Sequence, residues 1–480
     1  MRWAMALMVA GACGSPTVAP DAPSPACKGQ SFMTEAALGT LPGIYLTSTG
    51  SLFARPLQVD GAPGGFRIGL GRDFATLQLG NTPLAIEGDA VVARTGDATD
   101  GTVITLDQLE DDCAFAGTQR ICTAGTCVDS PIAGQRFALA AEAEASGMSL
   151  VGEIPGNLGD DWRGAPVTRL RVADSLALVT TDWGGGLRIV DVADPAHPVE
   201  VAHVAPELPE LYEGYVDVRP LPAGGRRYAL VASDRFGVVV VDVTAPASAA
   251  IVGHVGLSRW ATSLAVRGTT AYVAAYAGEV EMLEVWDVAD PLHPVARSAV
   301  AIAPGSRLEV DGDHVYAGGG DTGLTIIDVA NPDAPVVRSR YQHAGPRADA
   351  AVSVTTVGAQ RIAVVSDARW AGTVQLVDVT DDRAPHELAS WQTRSPIAPG
   401  GVIAVGSRAF VADDQDGVRV LDLADPRAPQ SVGWFHTWSA ADPRTGSFFE
   451  GAIDVDVDVA RGLVYVLDNV SGLVILHLDL

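Results

Sequence analysis

Lysine is almost missing from this chain. Lys28 is the only one in 480 residues, and 32 basic residues face 58 acidic ones, for a net charge of −26. Such a field repels phosphate backbones and anionic lipid surfaces, so neither a nucleic acid nor docking through a basic patch is expected. Charged residues make up only 19%, but the apolar fraction of 48% is that of an ordinary globular protein, so disorder throughout is excluded. The frames of common chemical sites are also missing. There is no C-x-x-C pair, no H-x-H and no H-E-x-x-H, and no histidine stands close to a nucleophile motif. The sequence therefore assigns no catalytic residue, no metal ligand and no cofactor.

The chain opens "MRWAMALMVAGACGSP". Arg2 precedes an apolar or small run at residues 3–12, which is too short to cross a bilayer and has the shape of a signal-peptide core. The "AGAC" ending resembles the lipobox of bacterial lipoproteins, with Ala10 departing from the usual leucine. The resemblance implies a signal peptide over 1–12 and lipidation of Cys13. Residues 14–26, "GSPTVAPDAPSPA", suit a tether that holds a domain off a membrane. Cys27, Cys113, Cys122 and Cys127 remain, an even number. Export into an oxidising compartment predicts two disulfides, and sequence leaves all three connectivities open.

Residues 27–140 hold these four cysteines and no repeat. Short alternating runs such as "GIYLTST", "FRIGLG" and "TVITLD" between Gly, Asn and Asp turns predict a small all-β domain, a barrel or a sandwich.

From residue 147 to 480 the pattern is periodic. An aspartate closes an apolar strand at Asp191, Asp242, Asp287, Asp328, Asp378 and Asp422, with gaps of 51, 45, 41, 50 and 44 residues. Each unit reads as four short strands, shown best by "TSLAVRG", "TTAYVAAY", "EMLEVWDVADP" and "HPVARSAVAI" between 262 and 302. Units of four antiparallel strands at this period are the blades of a β-propeller. One blade alone cannot bury both of its faces, so the blades must stack.

Three features occur together: an aromatic-centred strand ("AYVAA", "HVYAG", "AFVAD"), a "G-[VL]-x-[IV]-[IVL]-D" strand, and a "D-P-x-x-P" turn. Together they resemble the LVIVD repeat family of bacterial β-propellers over roughly residues 147–480. The turn departs from the pattern at "DVTAPAS" and "DVTDDRAP". The resemblance implies an exported surface protein of seven blades, less often six, and no agreed enzymatic activity.

The last unit stops early. "SGLVILHLDL" ends the chain without a fourth strand, while "MSLVGEIPG", 148–156, reads as a fourth strand with no blade before it. The expected fold is therefore all-β: a seven-bladed propeller closed by pairing 148–156 with 463–480, preceded by the small disulfide-containing β domain. His477 then stands where no turn follows, so no aspartate is needed there.

The repeated aspartates are read as turn acceptors, since a residue found at one place in every unit is architecture. "DDQDG", 413–417, is read as a hairpin turn because it lacks the full calcium-loop frame. The insertion "WFHTWSAADPRTGSFFEG" carries Trp434, Phe435, His436, Trp438, Phe448 and Phe449, a candidate binding surface. The bland alternative is that Trp434 and Phe435 finish a strand. "YEGYVD" and "FEGAID" place Glu213 and Glu450 just before inner strands. With Arg169, Arg171, Asp217 and Glu309 they are expected near the mouth of a central channel. The leading expectation is a monomeric, lipid-anchored protein of the outer membrane or cell surface. It would be a binding or scaffolding platform for a protein or polysaccharide partner. The alternative is a periplasmic metal-dependent hydrolase or lactonase with its site at the channel.

Overall fold

The computed structural model describes the strands between residues 43 and 136 and, from residue 144 onward, all but 155–166, 183, 210–212, 256–259, 279, 320–322, 343–348, 369–371, 394–398, 415, 438–450 and 470. Eight antiparallel strands, from Gly43–Thr47 to Thr126–Arg136, pair in chain order, and the first also pairs with the last to close a barrel. The sequence left barrel and sandwich open, and the pairing of Tyr45 with Arg136 decides for the barrel. Cys122 and Cys127 form a disulfide across the hairpin that links the last two barrel strands. Cys13, Cys27 and Cys113 lie outside the described residues.

The remainder is all-β and consistent with a β-propeller. Seven antiparallel sheets follow one another. Five have four consecutive strands each, beginning at Val167, Tyr215, Ala261, Ser306 and Asp349. The sixth, from Val402 to Phe435, gains a fifth strand, Ala145–Ser146, which sequence reading did not foresee. The seventh contains Ala452–Asp458, Leu463–Asp468 and Gly472–Leu478, and its fourth strand is Met148–Ile154.

The repeat consensus has a physical reading in these sheets. Its glycine opens the third strand with positive φ, at 83° for Gly186, 73° for Gly323 and 71° for Gly417. A Cβ there would lie 2.4 Å from the Val204 carbonyl, 2.2 Å from that of Tyr341 and 2.1 Å from that of Phe435. Only glycine permits both the backbone angle and the approach of the fourth strand's end. The fourth strand then carries one extra residue opposite the third, two positions before the aspartate. The bulge recurs at Ile189/Val190, Val240/Val241, Val285/Trp286, Ile326/Ile327, Leu376/Val377 and Val420/Leu421. Met148–Ile154 bulges against the last strand at the same place, between Leu150 and Gly152. It thus pairs as a fourth strand despite its distance along the chain.

The apolar cores lie between sheets. Leu176, Leu187, Val218 and Val239 join the first sheet to the second, and Leu230, Val240, Leu264 and Val273 join the second to the third. The series continues through Tyr272 with Leu308, Ile326 with Val365, and Leu376 with Val411. Phe410 and Val420 then pack with Val455 and Leu476. One further core holds Leu170, Val179 and Val190 of the first sheet with Leu463, Tyr465 and Ile475 of the seventh.

Small residues at the bulge rest on the turn of the following sheet. Ser298 Oγ donates to the Pro332 carbonyl at 2.6 Å, and Ser339 Oγ to that of Asp382 at 2.6 Å. Gly152 occupies this place in the seventh sheet, and a Cβ on it would lie 2.3 Å from the Pro195 carbonyl in the first sheet's turn. Gly152→Ala is therefore expected to destabilise the protein by about 1–3 kcal/mol. Glu153→Ala, at an exposed position on the same strand, should stay within about 0.5 kcal/mol. Denaturant unfolding of the two variants against the wild type checks this.

Candidate functional site

The first strands of neighbouring sheets lie side by side, and Ala452–Asp458 lies beside Val167–Ala173. Along each of them the sequence alternates. Apolar residues such as Leu170, Val218, Leu264, Leu308 and Val455 enter the cores between sheets. The intervening positions carry Arg169 and Arg171, Asp217 and Arg219, Arg307 and Glu309, and Asp454 and Asp456, four positive and four negative groups.

Their bonds run through two groups, one across two of the first strands and one across three. Asp454 Oδ2 accepts the Leu170 N–H at 2.8 Å and Arg171 Nη1 at 3.1 Å, and Arg169 Nη1 lies 3.8 Å from Oδ1. Asp456 Oδ2 accepts the Val172 N–H at 2.7 Å. Asp217 Oδ1 accepts Arg219 Nη1 at 2.6 Å and the Val218 N–H at 2.8 Å. Its Oδ2 accepts Ser263 Oγ at 2.8 Å and the Leu264 N–H at 2.9 Å, while Ser263 Oγ accepts the Leu308 N–H at 3.0 Å. A short polar side chain on one first strand thus binds the backbone of the next. Ser353 Oγ does the same for the Ala404 N–H at 3.0 Å.

The charges act on one another beyond these pairs. Burial works against the Asp217 carboxylate, but the Arg219, Arg171 and Arg169 guanidiniums and the Leu264 N–H bring its pKa down to about 2. Burial also opposes the Arg171 charge, yet Asp454, Asp456, Asp217 and Glu309 hold its pKa above the ordinary value. Burial raises Asp456 and Glu309 despite the nearby arginines. Burial and the Arg171 charge pull Arg219 down.

The recurrent aspartates of the third strands have another task. Asp191, Asp242, Asp287, Asp328, Asp378 and Asp422 each accept, through Oδ1, the N–H two residues on, at 2.8–3.0 Å. A second acceptor follows in the same turn, with Asp194 taking the Ala196 N–H and Asp290 that of Leu292. His197 and His293 bond Asp194 and Asp290 at 2.9 Å on the exposed turns. The strand-opening glycine, the closing aspartate and the turn are the parts of one recurring unit, and a family model for the LVIVD repeat matches residues 179–205, 226–256 and 305–343. The chain carries LVIVD repeats.

No curated protein matches the chain. Among solved structures, the computationally designed Ika8 protein is 12% identical with a TM-score of 0.41, the match covering 82% of this chain and 95% of that one. The WD40 repeats of RRP9 are 14% identical with a TM-score of 0.48, over 70% of this chain and 99% of that one.

The fold brings some of the expected site residues together and separates others. Arg169, Arg171, Asp217 and Glu309 belong to the charged group just described. Glu213 is fully buried, its Oε1 taking Ser233 Oγ at 2.7 Å and its Oε2 the Leu208 N–H at 2.9 Å. Trp434 and Phe435 end the fourth strand of their sheet and pair with Ser146 and Ala145. Trp434 lies 5.6 Å from the Arg419 guanidinium, His436 Nε2 is 3.5 Å from that group, and Phe435 packs on the core beneath. Trp438, Phe448, Phe449 and Glu450 lie outside the described residues. In "DDQDG", Asp413, Asp414 and Asp416 are buried in a turn closed by Asp413 N–H to the Gly417 carbonyl at 2.7 Å. Among the described residues no group of three or more His, Cys, Asp or Glu is placed to hold a metal ion.

Sequence reading missed Arg219, Arg307, Asp454 and Asp456. Their signal was available: each stands two residues before or after another polar residue on a first strand, where alternation puts both on one face. Replacing Asp217 by Asn leaves Arg219 buried without its counter-ion and should cost about 3–5 kcal/mol. The folded pKa of Asp217 is depressed, so its contribution is complete above the ordinary carboxylate value and lost as pH falls from about 4 to about 2. The stability gap between wild type and Asp217→Asn, followed by melting at successive pH values, should shrink across that window.

Proposed function

We propose that the LVIVD repeats form a seven-bladed propeller whose ring is closed by the clasp of 148–156 on the C-terminal strands. In this reading the first strands line a central channel. The whole is a rigid platform that binds or scaffolds a protein or polysaccharide at a cell envelope. The observation that carries the reading is the charged group on the first strands. All eight members are drawn into salt bridges, bonds to a neighbouring backbone, or the field of an adjacent arginine, which suits a stiff support more than a reactive centre. The half-buried Trp434 beneath Arg419 on the fourth strand of the sixth sheet offers an aromatic contact of the kind binding surfaces use.

The N-terminal segment completes the proposal. Residues 1–12 act as a signal peptide, Cys13 carries the lipid, and 14–26 tether the barrel and the propeller to the outer membrane or cell surface. Several acyl chains on one cysteine anchor firmly where a single chain holds only marginally. The disulfide Cys122–Cys127 suits an exported chain. Cells expressing the full chain should incorporate radioactive palmitate into it, and Cys13→Ser should abolish the label and release the protein from the membrane fraction. Labelling that persists in the variant would refute the anchor.

A further inference from the structure

The last hairpin of the barrel is held by more than its disulfide. Its strands, Phe115–Thr123 and Thr126–Arg136, are joined by Ala124 and Gly125, with φ of 50° and 77°. Two successive residues of this kind make the tight turn whose twist suits a β-hairpin. The Ala124 N–H donates to Asp100 Oδ1 at 2.8 Å and the Gly125 N–H to the Thr99 carbonyl at 2.9 Å, so the tip is pinned to the neighbouring hairpin. Arg120 donates twice to Asp129 across the same two strands, at 2.6 and 2.7 Å. Register and turn are thus fixed without sulfur. The Cys122–Cys127 bond encloses only residues 123–126, and so short a loop leaves a cross-link little chain freedom to remove.

The same bond is open to attack. The first barrel strand, Gly43–Thr47, reaches along the last only as far as Gly134. Residues 126–133 keep the seventh strand as their one ladder neighbour among the described pairings, and the hairpin has a free edge on the side of Cys127. Residues 123–129 are all exposed, Cys127 among them, and Cys122 is partly exposed. Opposite Cys122 on the sixth strand stands Gly101, which has no side chain to cover it.

We propose that Cys122–Cys127 is a redox site, reduced and re-formed by an external dithiol while the barrel stays folded. Exposed disulfides exchange under native conditions, whereas structural ones resist. A thiolate of the dithiol attacks Cys127 Sγ, the more exposed sulfur, and forms a mixed disulfide there. The old S–S bond breaks, and Cys122 leaves as a thiolate and takes a proton. The second thiol of the dithiol then displaces Cys127, which is protonated in turn. Two electrons and two protons pass to the hairpin, and the dithiol becomes a disulfide.

The purified full-length chain suits the test, because trypsin releases both cysteines on one peptide, residues 121–136, apart from Cys13, Cys27 and Cys113. Dithiothreitol should reduce the native protein within about a hundredfold of the rate measured in guanidinium, read by differential alkylation of that peptide. Amide-exchange protection of the sixth barrel strand, Gly101–Leu109, should stay as it was. Oxidised glutathione should restore the bond, and a short pulse of reduced glutathione should leave its adduct on Cys127. The double variant Cys122→Ser/Cys127→Ser should keep wild-type protection of the same strand. Slower native reduction than that, protection lost on reduction, or a double variant with an unprotected barrel would each overturn the redox site. An adduct on Cys122 alone would overturn the direction of attack.

Discussion

The Asp454 carboxylate joins first strands that lie 284 residues apart by accepting the Leu170 N–H. Everything else in the repeat region depends on such bonds between neighbouring first strands. Sheets of four strands have two apolar faces, and apolar burial is non-directional, so it brings sheets together without fixing how far one slides past the next. A carboxylate or hydroxyl aimed at a single N–H fixes that offset. Asp217, Ser263, Ser353, Asp454 and Asp456 do so at five places around the series. Removing one such acceptor leaves a buried N–H unsatisfied as well as shifting the stack.

The repeat consensus divides its labour in the same way. The strand-opening glycine lets the fourth strand come close, the closing aspartate caps the turn, and the small residue at the bulge seats that turn's counterpart in the next sheet. None of these residues needs a ligand to explain it. A sequence can therefore repeat an aspartate six times without carrying six sites. The units differ most on the first strands, where only the backbone-binding acceptors recur and the residues beside them vary.

Much of this was legible in the sequence. The spacing of Asp191 through Asp422 gave the units, and the missing strand after "LVILHL" pointed to "SLVGEI" as its partner, which the pairing of Leu150 with Leu476 matches. The turn role of the aspartates followed from their place before proline. The charged group was only half legible. Arg169, Arg171, Asp217 and Glu309 stood out, but Asp454 did not, because nothing local reveals a partner so distant in the chain. Glu213 shows the opposite failure. Its position before a first strand was read correctly, yet the hydroxyl that covers it comes from Ser233 on another strand. The strand Ala145–Ser146 is too short to carry a period, and eight strands in the barrel could not be counted from runs broken by glycine.

The borrowed strand also orders events in time. Residues 148–154 are made more than 300 residues before their partner 472–478. Until then the first sheet has one apolar face with no neighbour, and the early strand has a bare edge. Non-local pairing of this kind is slow, because the chain loop must close before any contact rewards it. Six sheets can stack as they emerge, but the seventh waits. A ribosome that stalls before residue 472 leaves an incomplete stack with two sticky ends, the species on which a chaperone or a protease would act.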